Sequence, residues 1–233
     1  ALIGDVIVRF PWHKNEDVVA QGLPLMGEED GVHHSTLQGG AAFGTGEHPT
    51  TFMCLNAVAR CVRESEAPVR VMDYGAGSGL LGLAALLLGA SSASGVEIDR
   101  DAIASAHTNA ETNDLHFKCY LPAETTLQKS KDDDGEADSI LNNPFKERFN
   151  DGVERLPLDD VDYDLVVANI LARPLRGLAP ELARLSRPGG TLLLSGVLDE
   201  QADGVIEAYT PYFDGLAVKE SKRGWVLIEG RRK

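Results

Sequence analysis

The chain has 233 residues, of which 43% are hydrophobic and 25% are charged, and its formal net charge at pH 7 is -14. This apolar content is enough for a packed α/β domain and excludes global disorder, and the acidic excess argues against non-specific nucleic-acid binding through clustered Lys and Arg. No stretch approaches the ~18 consecutive apolar residues of a membrane span, and the three cysteines form no CxxC pair, which predicts no membrane segment and a reducing compartment.

The first part of the chain is predicted to be an arm outside the main domain. Residues 1–10 alternate loosely, as in a strand, and residues 13–41 are polar and rich in glycine. We therefore predict an N-terminal arm or linker over 1–41 and a main domain over 42–233, and the start of the chain lacks the pattern of a signal peptide. Within the main domain, AFGTGEHPTT at 42–51 leads into a helix predicted from Thr50 to Arg63, whose apolar residues recur at helical spacing.

Strands and helices alternate over residues 69–121. Residues 69–90 contain a strand, a glycine turn and an apolar helix, and they are followed by a strand over 92–99, a helix over 100–114 and a strand over 115–121. The alternation stops at 122–161, which contains a run of acidic residues: Asp132, Asp133, Asp134, Glu136 and Asp138. We predict that 122–161 is a solvated acidic insertion.

Alternation returns after the insertion and defines the fold class. The pattern predicts a strand over 163–171, a helix over 173–186, a turn at 187–190, a strand over 191–198, a helix over 199–213 and two closing strands near 216–221 and 224–230. Strands that alternate with helices predict an α/β fold with a Rossmann-like, doubly wound, mostly parallel sheet. The short connection between the last two strands predicts an antiparallel hairpin at one edge.

A glycine turn and a later acid mark the candidate binding site. Asp73 ends the first strand of the alternating region, and Gly75, Gly77 and Gly79 lead into the helix after it. Glycines let a backbone approach a ligand closely, and a helix N-terminus offers unpaired N–H groups to an anionic group. Glu97 stands at the end of the second strand, where an acid can accept hydrogen bonds from ribose hydroxyls.

Two cofactor classes compete for this turn. Gly77, Gly79 and Gly82 spell GxGxxG, the fingerprint of a dinucleotide site in an NAD(P)-dependent oxidoreductase. A pattern that starts at Gly75 instead reads DxGxGxG with Asp73, and it is similar to the first motif of class I S-adenosylmethionine-dependent methyltransferases. That similarity implies that the methionine part of the cofactor lies by the turn and that its ribose meets the acid. We favour S-adenosylmethionine and keep the oxidoreductase as the alternative.

Longer stretches narrow the resemblance to one family. AFGTGEHPTT, DYGAGSGLLGLAALLLGA, GVEIDRDAI, VVANILARPLRGLAPELA, LSGVLDEQAD and GWVLIEG run nearly from end to end of the chain. Together they resemble the ribosomal protein L11 methyltransferases, which are protein lysine N-methyltransferases. The glycine turn alone indicates only a class I methyltransferase, whereas GTGEHPTT and ANILARPL are much more specific.

The resemblance implies roles for particular residues. The family's cofactor contacts correspond to Thr51, Gly75, Glu97 and Asn169, and the loop from Gly44 to Gly46 would fold over the cofactor. Asn169, predicted at the tip of the fourth strand of the domain, would face both the methyl group and the incoming amine, and it is the catalytic candidate. Its carboxamide oxygen can accept a hydrogen bond and orient a nitrogen lone pair.

The resemblance also implies the substrate and the compartment. A ribosomal protein of the large subunit would be the partner, in the cytoplasm or in an organelle of a eukaryotic source, without direct contact to nucleic acid or membrane. Glu47, Ala76 and Glu97 depart from the family, which commonly has Thr, Cys and Asp at these positions. The family's usual N-terminal recognition domain is not recognised in this sequence, and the acidic insertion at 122–161 is atypical, so the substrate is left open. Another protein or a small molecule therefore stays an alternative substrate, and a binding module without turnover stays an alternative to an enzyme.

Histidine and cysteine residues are predicted to be structural. His48 precedes a proline and a helix, so we expect it to cap or pack the loop and not to act as a base. His33 and His34 are adjacent and no Cys or acid stands near them at ligand spacing, so we predict no metal site. Cys54 lies on the apolar face of its helix and is predicted to be in the core.

Overall fold

The structure is a computed structural model that describes residues 48–123 and 152–233, together with the backbone of three short strands nearer the start. Strands β1 (Leu2–Ile3), β2 (Val6–Arg9) and β3 (His33–Thr36) form a small sheet in the order β1-β2-β3. β1 is antiparallel to β2, and β2 is parallel to β3. The division into an arm over 1–41 and a domain over 42–233 stays a prediction.

A seven-stranded sheet forms the centre of the molecule. Its strands are β4 (Arg70–Tyr74), β5 (Ser92–Val96), β6 (Phe117–Tyr120), β7 (Tyr163–Asn169), β8 (Ser186–Leu198), β9 (Phe213–Lys222) and β10 (Trp225–Arg232). They lie in the order β6-β5-β4-β7-β8-β10-β9. The first five strands in this order run parallel, and β10 is antiparallel to both its neighbours. The prediction of a mostly parallel sheet with an antiparallel edge hairpin is confirmed.

Helices cover both faces of this sheet. They are α1 (Pro49–Arg63), α2 (Leu80–Leu87), α3 (Arg100–Thr112), α4 (Ala172–Leu185) and α5 (Ala202–Tyr209). One apolar core contains buried residues of α1, α2 and α3, and a second contains buried residues of α4 and α5. Because β4 and β7 lie between the two cores, Val71 and Met72 of β4 and residues 165–168 of β7 are buried against opposite faces in turn, and this is why these segments are apolar without a break. The prediction of a doubly wound fold is confirmed.

The turn predicted at 187–190 is a bulge within a longer strand. β8 begins at Ser186, directly after α4, and its pairing with β7 shifts between Tyr163↔Ser186 and Leu165↔Thr191. Gly189 has a φ of 74°, a left-handed backbone conformation that glycine adopts readily. The glycines therefore do mark irregular backbone, but the strand continues through it.

The helix predicted over 199–213 is shorter than the pattern suggested. A 3-10 turn at Asp199–Gln201 precedes α5, which ends at Tyr209. Pro211 stands two residues beyond that end and has no N–H group with which to continue the helical hydrogen bonds. Tyr209 is buried and donates a hydrogen bond to the Leu175 carbonyl of α4, 2.9 Å away, so the last turn is held in the core.

The end of the predicted insertion extends the edge of the sheet. Leu121, just after β6, forms a parallel bridge with Arg155, and Leu156 is buried in the core of α4 and α5. Residues 124–151, which carry the acidic run, lie outside the described residues. Along the part of the chain that the structure describes, no helix is both long enough and apolar enough to cross a membrane.

Candidate functional site

The predicted site residues meet at the carboxyl edge of the parallel strands. Tyr74 at the end of β4 pairs with Val96 of β5 and with Ala168 of β7. The residues just after these three paired positions therefore lie side by side, and they are Gly75, Glu97 and Asn169. In open α/β sheets ligands bind at this edge, where helices leave the sheet in opposite directions.

The glycine turn has the backbone that its sequence predicts. Gly75, Gly77 and Gly79 have φ values of 81°, 54° and 82°, in the left-handed region that side chains other than glycine rarely adopt. Gly79 is the N-cap of α2, and no side chain caps that helix. Of the first N–H groups of α2, that of Gly82 is bonded to Asp73, so those of Leu80 and Leu81 are the ones that a ligand can use.

Three side chains outside the turn hold it in place. The Gly77 N–H donates to Glu97 Oε2 at 2.9 Å, and the Gly82 N–H donates to Asp73 Oδ2 at 3.0 Å. From α3, Asn109 Nδ2 donates to the Ser78 carbonyl at 2.9 Å, and Asn109 is completely buried. Sequence analysis did not single out Asn109, although a polar residue on the buried face of a helix was a usable signal.

Gly82 is required by packing beneath the turn. A Cβ at Gly82 would lie 2.3 Å from Phe117 Cε2, and one at Gly95 would lie 2.7 Å from Phe117 Cζ. The ring of Phe117 thus occupies the space that two missing side chains leave open. The third glycine of the literal GxGxxG is accounted for in this way, so it does not by itself indicate a dinucleotide.

Asp73 is a buried carboxyl group with one free oxygen. Its Oδ1 has no hydrogen-bond partner, and neither does the hydroxyl of Ser78 a few residues further on; both atoms are buried. The pKa of Asp73 is raised to about 7, mainly by burial; the hydrogen bond from the Gly82 N–H opposes the shift, and the nearby charge of Glu97 adds to it. Unpaired buried polar atoms are rare in folded proteins, so this pair fits a ligand that brings hydrogen-bond donors or positive charge.

The raised pKa of Asp73 predicts a specific pH dependence of stability. Because the carboxyl ionises near pH 4 in the unfolded chain and near pH 7 in the folded one, its contribution is full below pH 4 and is lost as the pH rises to 7. We expect the free energy of unfolding of Asp73→Asn, taken relative to that of the wild type, to be ~2–4 kcal/mol larger at pH 7.5 than at pH 5. Urea unfolding at both pH values measures this difference. Asp203→Asn, at an exposed position of α5, is the control and should show no such gain. An equal difference at both pH values would show that Asp73 is already ionised at pH 5.

Glu97 is already bonded to the backbone around it. One carboxylate oxygen accepts from the Gly77 N–H, and the other accepts from the N–H groups of Ile98 and Asp99, at 2.7 and 3.1 Å. The carboxylate thus links the end of β5 to the glycine turn. Ile98, the next residue, leaves 49% of its surface exposed at the same edge.

Asn169 and Thr51 are brought together by β7 and α1. Asn169 Nδ2 lies 3.5 Å from Thr51 Oγ1, and Thr51 is buried in the first turn of α1. The two residues are 118 positions apart in sequence, so only the fold places them side by side.

The start of α1 is anchored to the β9–β10 hairpin. His48 is the N-cap of α1; its Nδ1 lies 2.8 Å from Thr50 Oγ1, and its ring packs edge-on against Trp225 with a centroid distance of 5.0 Å. Lys222 Nζ lies 3.6 Å from the centroid of the Phe52 ring. The expectation that His48 caps and packs is confirmed. The position of His48 depends on its contact with the hairpin, and a local sequence pattern does not reveal that contact.

The remaining His and Cys residues have structural explanations or lie outside the described residues. Cys54 is completely buried in the core, as predicted, and burial raises its pKa. Among the described residues no group of three His, Cys, Asp or Glu side chains could hold a metal ion. The predicted Gly44–Gly46 loop and Glu47 lie outside the described residues, and so do the side chains of His33 and His34.

Comparison with known proteins gives a single family. The model of the family described as "Ribosomal protein L11 methyltransferase (PrmA)" matches residues 28–233. A ribosomal protein L11 methyltransferase of Marinobacter nauticus is 39% identical over 225 residues, which are 95% of this chain and 59% of that protein. One of Pseudomonas paraeruginosa is 40% identical over 84% of this chain and 55% of its own length. The chain thus spans a little more than half the length of these relatives.

Solved structures agree with this fold. The ribosomal protein L11 methylase of Lactobacillus delbrueckii subsp. bulgaricus superposes with a TM-score of 0.65 at 23% identity, over 98% of this chain and 94% of that one. The 16S rRNA N2 G1207 methyltransferase of T. thermophilus, in complex with AdoMet and guanosine, superposes with a TM-score of 0.55 at 18% identity, over 82% of this chain and 45% of that one. At these identities the likeness shows the fold, which is that of class I methyltransferases as expected.

Proposed function

The chain belongs to the ribosomal protein L11 methyltransferase family, and on that premise we propose that it methylates amino groups of ribosomal protein L11 with S-adenosylmethionine. The observation that carries the proposal is the contact between Asn169 and Thr51 at the sheet edge that also holds the glycine turn. An amine to be methylated and the cofactor can meet at this edge of the sheet. The acceptors would be lysine side chains or the α-amino group, and neither binding to nucleic acid nor to a membrane is required.

The residues around the glycine turn fit this cofactor. The buried Asp73 oxygen and the Ser78 hydroxyl lack partners, and the N-terminus of α2 is uncapped, so the turn can receive an amino-acid group that carries both charges. Glu97 would accept hydrogen bonds from ribose hydroxyls, and Thr51, Gly75, Gly77 and Gly79 would line the remainder. When bound, S-adenosylmethionine supplies an electrophilic methyl group on a positively charged sulfur.

The residues on the acceptor side would orient a neutral amine. A lysine ammonium, with a reference pKa of ~10.4, has to lose its proton before nitrogen can act as a nucleophile. Asn169 would accept a hydrogen bond from the amine through its carboxamide oxygen and so aim the remaining lone pair. His48 is bonded to Thr50 and packed on Trp225, so we assign it the positioning of α1 and no proton transfer.

Calorimetry separates this cofactor from a dinucleotide. We expect S-adenosylhomocysteine to bind and NADH to give no heat of binding at the same concentration. Glu97→Gln should weaken the binding of S-adenosylhomocysteine by ~10-fold or more, because a hydrogen bond to a charged group contributes ~1.5–3 kcal/mol. Tight binding of NADH alone would replace this proposal with the oxidoreductase.

Mass spectrometry tests the substrate. The chain is incubated with large-subunit ribosomal proteins and isotope-labelled S-adenosylmethionine, and we expect the label on ribosomal protein L11. Label on another protein would correct the substrate, and the absence of label despite cofactor binding would favour a binding module without turnover. If the substrate is a ribosomal protein, the proposed activity belongs in the compartment where ribosomes assemble, which is the cytoplasm in a bacterium. Cell fractionation tests this localisation.

A further inference from the structure

Ile170, the first residue after β7, lies between two glycines. A Cβ at Gly75 would be 2.3 Å from Ile170 Cγ2, and a Cβ at Gly196 of β8 would be 2.3 Å from the Ile170 carbonyl oxygen. Both glycines have positive φ, 81° and 80°. Ile170 therefore fills space that exists only because neither neighbour carries a side chain.

The register of the sheet explains why these three residues meet. Tyr74 of β4 pairs with Ala168 of β7, and Asn169 pairs with Ser195 of β8. Gly75 and Ile170 thus follow the ends of β4 and β7, and Gly196 follows the last residue of β8 that pairs with β7. Ile170 connects the glycine turn on one side to β8 on the other.

The side chain of Asn169 needs such support. Its hydrogen bond to Thr51 Oγ1 is 3.5 Å long, near the limit of a hydrogen bond, and its side chain is only half buried. The backbone on its amino side is held by the sheet, whereas on its carboxyl side only Ile170 separates it from Leu171, the N-cap of α4. The orientation of Asn169 therefore depends on how Ile170 is seated.

We propose that Ile170 is a positioning residue whose γ2 methyl group, seated over Gly75, fixes Asn169 relative to the glycine turn. This inference rests on the proposed function, since it assigns Ile170 the alignment of the cofactor site with the acceptor site. Isoleucine suits the position because its branch at Cβ places one methyl group close to the backbone, where an unbranched side chain has none. Ile170 itself performs no chemistry.

Two conservative variants separate positioning from packing. Ile170→Val keeps the γ2 methyl group but removes the δ1 methyl group of a partly buried side chain, so it should lower the Tm by a few degrees and keep kcat within about twofold. Ile170→Leu keeps the volume but loses the branch, so its Tm should change less, while kcat for methyl transfer falls about tenfold. A role in packing alone predicts the opposite order, in which activity follows stability.

A spectroscopic readout makes the test independent of turnover. The side-chain amide resonances of Asn169, assigned by comparison with Asn169→Ala, should be unchanged in Ile170→Val and shifted in Ile170→Leu. Unchanged resonances in the leucine variant would overturn the inference, and so would equal losses of kcat in both variants. If the leucine variant does not fold, Ile170→Met, which also lacks the branch, replaces it with the same expectation.

Failure of the proposed function gives a different result. If the wild type binds S-adenosylhomocysteine but transfers no methyl group to ribosomal proteins, the substrate assignment fails, and the amide resonances still decide the role of Ile170. If the wild type transfers methyl groups and the leucine variant matches it in both readouts, the role of Ile170 fails while the function stands.

Discussion

Replacement of Asn169 by alanine is expected to lower the rate of methyl transfer by ~100-fold or more without unfolding the protein. The site as described has one polar side chain at the tip of β7, and it is this one that can accept a hydrogen bond from an amine beside the glycine turn. Removal of a single positioned hydrogen-bonding group from an active site typically costs 10²–10³ in kcat. The half-buried carboxamide has one long hydrogen bond, so its loss should change the free energy of unfolding by no more than ~1 kcal/mol.

The measurement pairs single-turnover methyl transfer with calorimetry. S-adenosylhomocysteine should bind the alanine variant with a Kd within a few-fold of that of the wild type, since Asn169 is expected to contribute most to the orientation of the acceptor. Asn56→Ala is the matched control, because Asn56 lies on α1 beside Arg60 and Glu229, away from the glycine turn. Activity of Asn169→Ala close to that of the control would remove Asn169 from the catalytic role.

Gly196→Ala is expected to destabilise the protein by ~3 kcal/mol or more and to abolish methyl transfer. Its Cβ would lie 2.3 Å from the oxygen and 2.7 Å from the carbon of the Ile170 carbonyl, which are backbone atoms that cannot rotate away. The left-handed backbone at φ 80° costs a further ~1–2 kcal/mol for any residue with a Cβ. Relief of the clash would move Ile170, and Asn169 with it.

Gly215→Ala isolates the contribution of the clash. Gly215 also has a positive φ, 64°, but a Cβ there would meet nothing within 4 Å. It should therefore cost only the ~1–2 kcal/mol of the backbone conformation and leave activity unchanged. Urea unfolding of both variants measures the difference, and equal losses of stability would mean that the close contact at Gly196 relaxes without cost.

The order of strands and helices, the glycine turn and the edge hairpin were predictable because each has a local cause. Apolar runs in β4 and β7 follow from burial on both faces, and the glycines after Asp73 follow from the positive φ of the turn. Sequence patterns report such causes because they act between residues close in the chain.

The supporting residues were not predictable in the same way. Asn109 holds the carbonyl of Ser78 from another helix, and Gly196 is explained by a carbonyl on the neighbouring strand. Glu97 was predicted as a ribose acceptor, but its bonds to Gly77 and to its own following residues depend on how β5 and the turn lie in space. Contacts between distant segments leave no periodic signal, so their partners appear only in the folded structure.

The anchoring of α1 by the hairpin has a consequence for the order in which a nascent chain can mature. The N-cap of α1 packs on Trp225, Phe52 lies under Lys222, and Arg60 forms an ion pair with Glu229, 169 positions later. β10 also lies between β8 and β9 in the sheet. During synthesis, therefore, every residue from Thr51 to Asn169 leaves the ribosome before the segment that seats α1, and the contact between Thr51 and Asn169 stays unfinished until residues 222–229 emerge.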